Sequence, residues 1–104
     1  MKVKIDGKVY DTTKAERIAT YDDGLPRMDL DYIREALYRQ DGVLFLAGES
    51  GARMKYAKNA EGGGKVGGEG LSLVDRDEAD AWIESLPEKD RAAARMNLDG
   101  FLIV

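Results

Sequence analysis

The chain has no cysteine and no histidine among its 104 residues. Without cysteine there can be no disulfide, thiolate nucleophile or zinc–sulfur centre. Without histidine, the usual general base near neutral pH and the commonest metal ligand are both missing. An enzyme built from this chain would have to work with carboxylates, lysine, tyrosine or a bare hydroxyl, and no motif organises such groups, so a non-enzymatic protein without cofactor or metal is expected. No apolar run reaches the roughly 18 residues that a membrane helix needs. The opening Met1-Lys2-Val3-Lys4-Ile5-Asp6-Gly7 lacks the apolar stretch of a secretory signal. A cytoplasmic protein with no membrane association is expected.

What is present suits one small globular domain spanning residues 1–104. Hydrophobic residues make up 43% of the chain and charged residues 35%, so a core is possible and the surface is densely ionic. The net charge of −4 is uneven: residues 69–90 hold eight acids against two bases, whereas residues 1–68 hold 11 acids against 12 bases. Direct binding to nucleic-acid phosphates is therefore disfavoured, most of all for the last third.

Two Asp-Gly pairs mark tight turns. Asp6-Gly7 lies between Val3-Lys4-Ile5 and Lys8-Val9-Tyr10, and Asp41-Gly42 precedes Val43-Leu44-Phe45-Leu46-Ala47. Both predict two-residue β-hairpins. A turn at Asp41-Gly42 sets Leu37 opposite Leu46 and Tyr38 opposite Phe45, pairs that stabilise sheets. Thr13 three residues before Glu16 matches a capping box, and Ala15, Ile18 and Ala19 share helical spacing, predicting a short helix over residues 13–20. Residues 61–70 include six glycines and read as a solvated loop. They are not a phosphate cradle, because Val66 stands where a P-loop needs serine or threonine.

Asp75 precedes Glu78 by three and opens the clearest helix, with Ala79, Trp82, Ile83 and Leu86 forming an apolar stripe. Pro87 ends it and can open another, to which Ala92, Ala93 and Met96 would give a thin apolar face. Phe101-Leu102-Ile103-Val104 is expected to pack back as a strand. The predicted fold is α+β: a small antiparallel sheet of two hairpins with helices packed on one face. Val9, Ile18, Leu37, Leu46, Trp82, Ile83 and Leu86 are the expected core.

Asp77, Asp80 and Glu84 lie opposite the apolar stripe, with Glu88 just beyond the proline. No basic residue of the same helix is read as relieving their repulsion. They are the candidate partner-binding residues, suited to a basic groove on another protein. The acidic pairs Asp22-Asp23, Asp29 with Asp31 and Asp75 with Asp77 lack the spacing of a calcium loop and read as turn and cap residues. Tyr10, Tyr21, Tyr32, Tyr38, Phe45 and Tyr56, interleaved with Arg34, Arg39, Arg53 and Lys55, have two readings. They suit a half-buried sheet, or a platform for single-stranded bases built on Tyr38, Phe45 and Arg39.

Several segments together resemble a known pattern. Tyr10-Asp11-Thr12, Ala15-Glu16 and Ile18-Ala19 are similar to the opening of a family of small accessory proteins of phages and integrative elements. Leu37-Tyr38-Arg39, Gly42, Phe45-Leu46, Gly48-Glu49, Gly51-Ala52 and Tyr56-Ala57 resemble its central block, and Leu71-Ser72-Leu73, Glu78-Ala79 and Trp82 its C-terminal helix. The likeness covers residues 3–86 and leaves residues 87–104 outside it. Such small acidic proteins include anti-CRISPR proteins, which occupy a surface of a CRISPR effector. The resemblance implies an inhibitor that binds a Cas protein and blocks access of DNA or of another subunit. The alternative is a single-strand nucleic-acid binder or a general protein-interaction module of a mobile element.

Overall fold

The computed structural model describes residues 1–100, and the apolar segment 101–104 lies outside the described residues. The architecture is α+β in three layers: a hairpin, a four-stranded antiparallel sheet, and two helices.

The strands β1 (Lys2–Ile5) and β2 (Lys8–Asp11) form the first hairpin. Asp6 and Gly7 take φ of 50° and 83°, the left-handed turn that an Asp-Gly pair tolerates. The main sheet is ordered β3 (Glu16–Asp22), β4 (Ile33–Gln40), β5 (Val43–Ser50) and β8 (Gly68–Val74). Its central turn is Asp41-Gly42, again with positive φ, and the register sets Leu37 against Leu46 and Tyr38 against Phe45, as the sequence predicts. Between β5 and β8, the two-residue strands β6 (Lys58–Asn59) and β7 (Lys65–Val66) form a small exposed ribbon.

The helix α1 (Arg76–Glu84) begins with a complete capping box between Asp75 and Glu78. The helix α2 (Glu88–Asp99) follows Pro87 and ends at Gly100 in the left-handed conformation. Both pack on one face of the sheet, where Ile18, Leu37, Leu46, Ala79, Ile83, Leu86, Ala94 and Leu98 form the main core. On the opposite face the first hairpin covers a smaller aromatic core of Tyr10, Phe45 and Ala47. Phe45 lies between two rings, stacked on Tyr38 at 5.1 Å and edge-on to Tyr10 at 5.7 Å.

Four expectations need correction. Residues 13–20 form no helix: Asp11 accepts hydrogen bonds from the amide (2.9 Å) and hydroxyl (2.7 Å) of Thr13 in a turn, and β3 then begins at Glu16. Val9 is 44% exposed because Tyr10, its neighbour in β2, is the residue that turns inward. On α2 the buried face is Ala94 and Leu98, leaving Ala92, Ala93 and Met96 exposed. The glycine-rich segment contains regular structure, since Gly68 and Gly70 belong to β8.

Candidate functional site

The helix layer carries the charge. Residues 75–99 hold eight acids and four bases, whereas the remaining residues balance at 12 of each. The chain's entire net charge of −4 therefore falls on the segment that forms this outer layer.

The four candidate acids do not share one environment. Asp77 and Glu88 lie in the first turns of α1 and α2, where the helix dipoles favour a carboxylate, and both are exposed without an ion pair among the described residues. Asp80 and Glu84 sit at the seam between the helices. Arg76 reaches Asp80 one turn ahead at 3.3 Å, and Arg95 of α2 contacts Asp80 at 3.4 Å and also pairs with Glu84. Arg76 pairs with Asp99 as well, closing the network at the far end of α2. The reading of an unrelieved acidic stripe is thus corrected: Arg76 lies within the helix at the spacing that relieves Asp80, and α2 supplies a second arginine. The periodicity of one helix cannot reveal a cation contributed by its neighbour.

The aromatic platform is spoken for. Phe45 is fully buried and Tyr38 is stacked beneath the first hairpin. Arg39 bonds Glu16 at 2.9 Å and donates to the terminal carbonyls of α2, Leu98 at 2.7 Å and Asn97 at 3.0 Å. It serves as a C-terminal cap for that helix. Phe45 is thus withdrawn into the core, while Tyr38 is partly covered by the hairpin and Arg39 is engaged by Glu16 and the end of α2.

A polar cluster that spacing does not disclose lies at the other end of the helix face. Glu35 of β4 is nearly enclosed, and its carboxylate accepts from Tyr56 Oη at 2.6 Å, Lys55 Nζ at 2.8 Å and Trp82 Nε1 at 3.1 Å. Burial pushes the Glu35 carboxyl upward, but these three donors outweigh it and hold the group below the usual carboxylate range. Burial, then the hydrogen bond to Glu35 and its charge, push the Tyr56 phenol well up. The Tyr56 ring fits here because β5 and β8 place glycines beneath it. A methyl group on Gly48 would come within 2.7 Å of Tyr56 Cε2, and one on Gly70 within 3.2 Å of Cδ1. Ser50 completes the support, accepting from the Tyr56 amide at 2.9 Å. Every buried side-chain polar atom among the described residues is partnered, and the cluster anchors the loop 51–57.

The acidic pairs act as turn acceptors. Asp22 takes the amide of Gly24 at 2.8 Å, Asp23 that of Leu25 at 3.1 Å, and Asp29 that of Asp31 at 2.8 Å. Asp22 also accepts from Arg34 Nε at 2.9 Å, and the two contacts hold its carboxyl below the ordinary range. Beside the first hairpin, Ala36 and Ala47 contribute to the lining of an open cleft of about 370 Å³, which Thr12, Thr20, Arg34 and Glu69 also line. No group of three or more acids among the described residues is arranged to hold a metal ion, and no described helix is long and apolar enough to cross a membrane. The chain matches no known protein family, curated protein or solved structure.

Proposed function

We propose that this protein is a binding inhibitor of the anti-CRISPR type, docking on a basic surface of a Cas effector subunit and blocking access of DNA or of another subunit. The observation that carries the reading is the concentration of all net charge on the helix layer. A small domain with one strongly acidic face and a nearly neutral remainder is suited to a basic groove and unsuited to phosphates. The resemblance of its sequence to small accessory proteins of phages and integrative elements supports a partner of this class. Within the layer, Asp77 and Glu88 are the residues offered to the partner, because Asp80 and Glu84 already have arginine partners.

Plasmid interference in cells with an active CRISPR system tests this directly, with the tagged protein recovered from the same cells. Lost interference together with a co-purifying effector subunit is the expected result. The double variant Asp77→Lys/Glu88→Lys should restore interference and release the subunit while keeping its fold. Interference that continues undiminished in the presence of the wild-type protein overturns the reading.

A further inference from the structure

The two edges of the main sheet are treated differently. The β3 edge is blunted: its register with β4 shifts between Arg17 and Ala19, and α2 packs along it. Asn97 Nδ2 donates to the Ile18 carbonyl at 3.0 Å, and Arg39 bridges to Glu16. These are the means by which proteins keep an edge from pairing with another chain. The β8 edge has none of them. Its seven residues run in unbroken register with β5, and it contains no proline, lysine or arginine. Among the described residues, no backbone group of β8 bonds to anything but β5.

The side chains along β8 indicate what would fit. Glu69, Leu71 and Leu73 alternate onto the face opposite the helices, and Leu73 is 38% exposed. Glu69 stands directly opposite Glu49 of β5, a like-charge pair that destabilises a sheet. Glu49 is compensated by Arg27 at 3.1 Å and Arg34 at 3.3 Å, whereas Glu69 has no ion pair among the described residues. A cation on the next strand, opposite Glu69, would supply what the fold omits.

We propose that the outer edge of β8 accepts an extended segment of a partner protein as a fifth strand, with a basic residue opposite Glu69 and apolar residues opposite Leu71 and Leu73. Main-chain hydrogen bonds supply the affinity of such an added strand, and alternate side chains supply its selectivity. A second copy of this chain fits less well. Antiparallel self-pairing centred on Leu71 sets Glu69 against Leu73, and parallel self-pairing sets Glu69 against itself, so neither relieves the charge. This surface is separate from the acidic helix layer, and the inference does not rest on the function proposed above.

The test uses the full isotope-labelled chain and two capped peptides, Thr-Val-Thr-Val-Thr-Lys-Thr and the same peptide with glutamate replacing lysine. The lysine peptide should shift the amide resonances of Gly68–Val74 and slow the exchange of those facing outward. The glutamate peptide should bind about tenfold more weakly. Glu69→Lys should reverse that preference, and Leu73→Lys, an exposed position that leaves the core intact, should weaken both peptides. Failure of the lysine peptide to bind overturns the proposal, as does equal binding of the two. Outward β8 amides already protected in the free chain would also overturn it, since the edge would then be occupied by this chain itself.

Discussion

The two faces of the main sheet are built from different materials. The helix face is aliphatic and long: Ile18, Leu37, Leu46, Ile83, Leu86 and Leu98 fill it, and the Glu35 cluster seals one end. The hairpin face is aromatic and short, with Phe45 between Tyr10 and Tyr38 and an open cleft where the hairpin stops. One face is closed by length of helix, the other by a few large rings. Both centre on fully buried side chains, so neither cover is an optional addition.

The largest expected effect tests that equivalence. Phe45→Ala should cost about 3–5 kcal/mol and Leu37→Ala about 2–5 kcal/mol, measured by urea unfolding, because each leaves a cavity between two layers. If Phe45→Ala costs less than about 1 kcal/mol, the hairpin is a peripheral flap and the sheet stands on its helices alone.

The faces also differ in how plainly the sequence announces them. Both Asp-Gly turns, the register of Tyr38 with Phe45 and the capping box at Asp75 are legible because each depends on neighbours in sequence. The misread helix at residues 13–20 has a physical cause. The register shift between Arg17 and Ala19 leaves both Ile18 and Ala19 against the helix layer, which breaks the strand's alternation and imitates helical spacing. Ala15, the third member of that apparent stripe, packs in the other core. Gly68 and Gly70 read as loop because what they accommodate, the Tyr56 carbonyl at Gly68 and the Tyr56 ring at Gly70, lies more than ten residues away in sequence. At the candidate surface the acids were visible, but their sorting into paired and unpaired was not, since it depends on where α2 places Arg95.

A middle-sized effect distinguishes the two ends of the helix face. Glu35→Gln at neutral pH should cost about 1.5–3 kcal/mol, because a neutral amide replaces a charged acceptor for three donors. The pH dependence follows from the sign of the shift. The folded-state pKa of Glu35 lies below its ordinary value of 4.5, so the folded protein binds that proton less readily than the unfolded chain. Its stabilisation is complete above the unfolded value and is lost as pH falls through the folded one. Unfolding curves of wild type and Glu35→Gln should therefore separate at pH 7 and converge in acid. A gap that stays constant down to pH 3 would show that Glu35 contributes by packing and not by charge.

The smallest effect divides the acidic layer itself. Asp80→Lys places a third cation between Arg76 and Arg95, exchanging two attractions for two repulsions. Because Asp80 is partly exposed the pairs are screened, and a loss of about 1 kcal/mol is expected, shrinking as ionic strength rises. Asp77→Lys breaks no ion pair and forfeits only the favourable dipole of the first turn, about 0.5 kcal/mol. Thermal unfolding of the two variants at low and high salt makes the comparison. If Asp80→Lys is the more damaging and salt relieves its deficit by more than that of Asp77→Lys, Asp80 belongs to the seam that fastens α2 to α1. Equal costs for the two would mean that the seam contributes nothing to stability, and Asp80 would then be as free as Asp77 to meet a partner. The division matters because an acid already engaged by arginine must first lose that contact to bind another protein, whereas Asp77 and Glu88 need lose nothing.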